Sequence, residues 1–185
     1  MNICFLTLIK INDINESGIY NDLLRTIINE GHFVFIICPL ERRENKSTYI
    51  VNKKNYSILY LRTLNIQKTN NIEKGLGSLL LEYQYYFALK KHTKNIKFDI
   101  IFYSTPPITI NKPISFIKKR DSAFSYLLLK DIFPQNAIDM GMIKSKGFIH
   151  KFFLRKEKKL YNISDKIGCT SPAQINYITK NHKYV

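Results

Sequence analysis

Acidic residues are scarce in this chain: 14 Asp and Glu stand against 29 Lys and Arg among 185 residues, a formal net charge of +15. The shortage disfavours cationic partners and points to polyanions: nucleic acid, an anionic membrane face or phosphate-bearing substrates. Lys, Asn and Ile are used heavily throughout, so compositional bias accounts for part of the excess. Cysteines are few and odd in number. Cys4, Cys38 and Cys169 lie far apart in apolar runs, which excludes a disulfide framework or a paired metal or redox motif. They read as reduced core residues of a cytoplasmic protein. No window holds the roughly 18 consecutive apolar residues of a membrane span. The start, Met1-Asn-Ile-Cys-Phe-Leu-Thr-Leu, is apolar at once, with no basic leader and no small-residue cleavage site; it reads as a first strand rather than a signal peptide.

Several chemical motifs are missing as well. There is no Walker A sequence, no Asp-x-Asp pair and no His/Cys ligand cluster, so neither a metal nor a cofactor is expected. A dinucleotide binder needs G-x-G-x-x-G after its first strand, and here the connection offers Gly18 alone. Gly75-Leu76-Gly77 has no strand leading into it and reads as a helix entry. No nucleophile-elbow sequence supports a serine hydrolase. His32 reads as structural, and His92, His150 and His182 as exposed in polar, basic surroundings.

What the chain does contain is an apolar fraction of 45% with 13% aromatics, enough for one domain with a real core. Apolar runs over residues 2–8, 33–38, 56–61, 98–103, 124–129 and 165–170 read as strands. Helical spacing follows Gly18 (Ile19, Leu23, Leu24, Ile27, Ile28), with Gly31 as the stop. Further helices are expected over 75–91, 112–119 and 148–163, with a last one opening at Ser171-Pro172. In the helix over 75–91, Leu76, Leu79, Leu80, Tyr83 and Phe87 form one stripe, and Leu81, Tyr85, Tyr86 and Leu89 a second apolar side. Pro39 closes the second strand, and the charged stretch 41–54 reads as a connection. Strands alternating with helices give a Rossmann-like α/β domain: a mostly parallel sheet with helices on both faces.

The most telling segment is Tyr126-Leu-Leu-Leu-Lys-Asp-Ile-Phe-Pro134. A short apolar run delivers Lys130 and Asp131 to the carboxyl end of a buried strand, the edge where ligands sit in open α/β sheets. There Asp131 is placed to orient a hydroxyl or act as a base; a helix cap or an ion pair with Lys130 is the plainer reading. Ser104-Thr105-Pro106-Pro107 leaves the preceding strand as a rigid, extended exit whose hydroxyls are placed to bond a ligand, or as an ordinary loop. Gly18 either exposes helix N–H groups to an anion or merely permits the turn. Residues 144–160 carry seven basic residues and one acid beside Phe148, Ile149, Phe152, Phe153 and Leu160. That composition suits a helix on an anionic bilayer surface, with Lys151, Phe152, Arg155, Lys156 and Lys159 at the membrane; the same stripe also suits packing onto a core.

Taken in order, these segments resemble glycosyltransferase family 4. Residues 2–8, Ser17-Gly18-Ile19-Tyr20 and Glu30-Gly31-His32-Phe33-Val34 are similar to its opening strand, glycine-bearing loop and Gly-His-x-Val entry to strand two. Asp99-Ile-Ile-Phe-Tyr-Ser-Thr-Pro-Pro107 resembles its fourth strand and Pro-Pro exit. Lys130-Asp131-Ile132-Phe133-Pro134-Gln135, then Gly141, is similar to the Arg-Asp-Leu-Trp-Pro-Glu segment of the subgroup that builds O-antigen and capsule repeats. Arg155-Lys-Glu157 through Tyr161, Ser164-Asp165 and Ser171-Pro172 match later features of that subgroup. The resemblance implies a GT-B architecture of two Rossmann-like domains. It also implies retaining, metal-independent transfer from a nucleotide sugar to a lipid-linked diphosphate saccharide at the inner face of the cell membrane. It places Asp131 as catalytic, with Gly18, Ser104, Thr105, Pro107 and Lys130 lining the acceptor side. The chain is expected to be the acceptor-side domain alone. The donor domain with its Glu-x7-Glu pattern is expected to lie outside it, leaving the chain inactive by itself. Ser17-Gly18 stands where many members have Gly-Gly, which weakens a phosphate cradle there. The alternative is a basic nucleic-acid-binding α/β module, which accounts for the charge but lacks a recognition helix or an aromatic stacking motif.

Overall fold

The computed structural model describes residues 1–182, with side chains for all of them except Asn71, Ile72 and Lys74. Seven strands form one sheet: β1 (Asn2–Leu6), β2 (Phe33–Glu41), β3 (Tyr49–Asn52), β4 (Tyr56–Thr63), β5 (Ile100–Ser104), β6 (Phe124–Leu129) and β7 (Lys166–Cys169). Their spatial order is β3-β4-β2-β1-β5-β6-β7. Every pairing is parallel except β3 with β4. The helices are α1 (Ile19–Asn29), α2 (Asn71–His92), α3 (Asn111–Asp121), α4 (Gln135–Asp139), α5 (Phe148–Ile163) and α6 (Pro172–Asn181). The order steps outward from β1 in both directions, which places the strand-order reversal, and hence the ligand crevice, beside β1.

Continuous apolar strands arise because both sheet faces are covered. Cys4, Leu6, Phe35, Ile37, Leu59, Ile101, Tyr103, Leu127 and Leu129 pack with α2, α3, α5 and α6 on one side. Ile3, Phe5, Val34, Ile36, Cys38, Leu40, Ile58 and Tyr60 pack on the other with Tyr20 and Leu24 of α1 and with Ile11 and Ile14 of the loop before it. Cys4 and Cys38 are buried free thiols, and burial pushes Cys38 up to about 11.

Four expectations change. Strand β2 does not stop at Pro39 but runs to Glu41, paired with β4 as far as Glu41↔Thr63. Thr7 donates to the Ile37 carbonyl, so odd-numbered positions of β2 face β1 here, and β1 has ended before Pro39. The proline's missing N–H therefore costs no ladder bond. The stretch 41–54 is not merely a connection, since it contains β3, a half-exposed edge strand. Helix α2 opens four residues early, where the Asn70 side chain accepts the Glu73 N–H, an N-cap. Its inner face is Leu81, Tyr85, Ala88 and Leu89; the other stripe (Leu76, Leu79, Leu80, Tyr83 and Phe87) is exposed.

Candidate functional site

The carboxyl ends of β1, β5 and β6 meet the first turn of α1. Strand β6 ends at Leu129, and Lys130 is then fixed at three points. Its N–H donates to Thr105 Oγ1 at 3.2 Å. Its carbonyl accepts from Gln174 Nε2 of α6 at 2.7 Å. Its ammonium lies 4.1 Å from the ring centroid of Tyr20, the second residue of α1. Three segments singled out separately in the sequence are thus joined: the Ser17–Tyr20 turn, the Ser104–Pro107 exit and the Lys130-Asp131 pair.

Asp131 itself is exposed, and its carboxylate has no hydrogen-bond or ion-pair partner among the described residues. The helix cap and the Lys130 pair are therefore both absent. Gly18 is half-buried and precedes α1 with extended backbone and no side-chain cap. Ser104 and Thr105 differ from expectation. They are 2% and 1% exposed, and Thr105 Oγ1 is already an acceptor for Lys130, so both residues lie in the interior rather than in open solvent. Pro107 is buried too. The exit bends instead of running extended, with Thr105–Pro106 and Pro106–Pro107 both cis.

On the β2 side of the edge lies a cleft of about 320 Å³ lined by Leu8, Ile9, Lys10, Pro39, Glu41, Glu44 and Gln67. Glu41 organises it. One carboxylate oxygen accepts the N–H groups of Ile66 (3.0 Å) and Gln67 (2.8 Å), and the other bonds the Arg43 guanidinium. Burial works to raise its pKa, but Arg43 and those two N–H groups outweigh it and hold the carboxyl below the usual range. Across the cleft Lys10 pairs with Glu44, and the Gln67 amide donates to the Leu8 carbonyl at 3.1 Å. Periodicity carried no signal for this network, because its bonds join loops whose registers it does not report.

Helix α5 keeps the predicted bounds but divides its residues differently. Glu157, Leu160 and Tyr161 are buried, and Phe153 packs edge-on against Phe133. Phe148, Ile149 and Phe152 are exposed, as are Lys151, Arg155 and Lys159. Lys156 points elsewhere, at Glu82 of α2 (2.6 Å). Burial pushes the Glu157 carboxyl up to about 7, against the Tyr161 hydroxyl that donates to it at 3.1 Å. His182, expected to be exposed, is 5% exposed and sits with its ring edge-on to Tyr161.

No protein-family model and no curated protein matches this chain in sequence. Its fold does match solved structures. OtsA in its apo form aligns over 92% of this chain with a TM-score of 0.60 at 12% identity. The trehalose-6-phosphate protein from E. coli bound with UDP-2-fluoro glucose aligns over 94%, with a TM-score of 0.61 at 10% identity. An alpha,alpha-trehalose-phosphate synthase (UDP-forming) from Burkholderia vietnamiensis aligns over 97%, with a TM-score of 0.57 at 8% identity. The fold matches a GT-B half-domain. The chain spans 40%, 41% and 43% of those three proteins. At such low identities the likeness establishes architecture alone. Among the described residues no helix is long and apolar enough to cross a membrane.

Proposed function

We propose that these residues form the acceptor-side half of a retaining glycosyltransferase of the family 4 type. In this reading it works in O-antigen or capsule assembly at the inner face of the cell membrane. The nucleotide sugar is held by a second Rossmann-like half outside these residues, and the acceptor is a lipid-linked diphosphate saccharide. The observation that carries the reading is the fixed position of Lys130, tied to Thr105 and set over Tyr20, with the unpartnered Asp131 beside it on the open edge.

Each group has a role that its surroundings support. Asp131 has a carboxylate free of internal bonds, as a residue that accepts a bond from an acceptor hydroxyl requires. Lys130 supplies a fixed positive charge for a phosphate oxygen. Gly18 keeps side-chain bulk away from the start of α1. Ser104, Thr105 and Pro107 hold the β5 exit so that Lys130 stays in place. Lys151, Phe152, Arg155 and Lys159 face solvent, as groups meeting anionic headgroups must, whereas Lys156 serves the helix packing.

The test is a transfer assay with nucleotide sugars and lipid-linked acceptor, using the chain alone and mixed with a separately expressed donor-binding half. Transfer in the mixture only is expected. Transfer by the chain alone would refute the division of labour. Asp131→Ala in the active mixture should lower the rate by about 10²–10⁴-fold, the range for losing a positioned acid or base; an unchanged rate removes Asp131 from the chemistry.

A further inference from the structure

We infer that Tyr20 is a positioning residue: its ring holds the Lys130 ammonium at the sheet's carboxyl edge as a seat for a phosphate group. Lys10, Lys118 and Lys156 each pair with a carboxylate, whereas Lys112, on α3, sits over the rings of Tyr83 and Tyr86 of α2 rather than at a strand end. Lys130 has no carboxylate partner among the described residues, and an aromatic face takes the place of the acid. The difference matters electrostatically. A carboxylate partner neutralises an ammonium, whereas a ring quadrupole attracts it and leaves the full positive charge to act outward. The ring is in turn immobile: Tyr20 is 4% exposed and meets the fully buried Phe5 edge-on, at 5.2 Å between centroids. The lysine stem is anchored through its backbone at Thr105 and Gln174. A flexible side chain is thereby held in one place before any ligand arrives, which lowers the ordering cost of binding. A compact ammonium binds a phosphate oxygen as a point charge, without the bidentate geometry that an arginine fork demands.

The choice of phosphate rests on the acceptor-side reading above, but its test does not. Inorganic pyrophosphate is titrated into the purified chain and followed by NMR, with Lys130→Gln and with Tyr20 replaced by phenylalanine, difluorophenylalanine and pentafluorophenylalanine. The fluorinated rings keep nearly the same shape while their negative face is progressively withdrawn. Saturable binding is expected in the native chain, retained in Tyr20→Phe, absent in Lys130→Gln and weakened about fivefold or more at pentafluorophenylalanine. A flat response across the fluorine series, or native binding in Lys130→Gln, overturns the proposal. So does the absence of saturable binding in the native chain. Thermal melts across the same series should coincide, which separates positioning from a fold defect. A graded fluorine response together with no sugar transfer in any mixture would leave the anion seat standing and the glycosyltransferase reading refuted.

Discussion

The Lys156 ammonium on α5 lies 2.6 Å from one oxygen of Glu82 on α2, and the other oxygen accepts the first-turn N–H of Lys112 on α3 at 3.0 Å. Glu82 is 7% exposed, so a single carboxylate ties three helices together. Replacing it by Ala strands one N–H and one ammonium at once. The expected loss is about 1–3 kcal/mol, moderated because Lys156 can still reach water. Denaturant unfolding of Glu82→Ala measures it, and a loss under a few tenths would deny the junction its role.

Glu157 predicts a pH dependence. Its carboxyl is raised by burial to about 7 from an ordinary 4.5, so the folded chain holds that proton more tightly than the unfolded one. The stabilisation is complete below about 4.5 and is lost as pH rises to about 7, a change of about 1–3 kcal/mol. His182, its pKa lowered chiefly by burial, opposes this below its ordinary 6.5. Glu157→Gln should flatten the decline between those limits and leave the chain more stable than the native one above pH 7. Melting temperatures across pH 5–8 for both chains decide it.

At the membrane, the prediction separates lysines that look alike in sequence. Changing Lys151, Arg155 and Lys159 together to Gln should weaken sedimentation with phosphatidylserine-containing vesicles by roughly 3 kcal/mol, at about 1 kcal/mol per basic residue. Lys156→Gln should instead appear as lost stability through Glu82. If the chain prefers duplex DNA and ignores such vesicles, the nucleic-acid alternative gains and the membrane role falls.

Gly168 on β7 lies against the Tyr126 ring of β6. An added Cβ would come 2.6 Å from the tyrosine hydroxyl oxygen and 2.9 Å from a ring carbon. Gly168→Ala should cost about 1–3 kcal/mol by overpacking. Adding Tyr126→Leu should recover much of that loss, because the blocking atoms belong to a side chain that the second change removes. Additive losses in the double variant would show that the clash lies elsewhere.

Glu41 anchors the turn after β4 through the N–H groups of Ile66 and Gln67. Glu41→Ala leaves the buried Ile66 donor without its acceptor, which costs about 1–3 kcal/mol. Faster amide exchange at residues 66 and 67 should accompany the drop in the melt. Native-like protection at both amides would contradict the assignment.

Much of the scaffold was readable because buried parallel strands print themselves as unbroken apolar runs. Residues 124–129 and 148–163 keep their expected bounds, and Ser171 caps α6 as its position before Pro172 suggests, accepting the Gln174 N–H. The edge strand β3 left no such run, since half its side chains meet water. Helix α2 shows apolar residues on nearly every side, and one-dimensional spacing cannot say which side faces the sheet. The site was partly legible: Lys130 and Asp131 were placed at a strand end by local pattern alone. Tyr20 was not singled out for a role at that edge, because its contact with Lys130 joins positions over a hundred residues apart.

Strands β2 and β4 climb past the end of β1, so the two sides of the crevice differ in stiffness. On one side a hydrogen-bonded ladder continues to Glu41 and Thr63, and its outline cannot change without breaking paired backbone. On the other, beyond Lys130, the chain proceeds through a five-residue helix and irregular connections to Gly147. Variants with altered ligand choice should therefore arise mainly between positions 131 and 147, where shape can drift at little cost to the sheet.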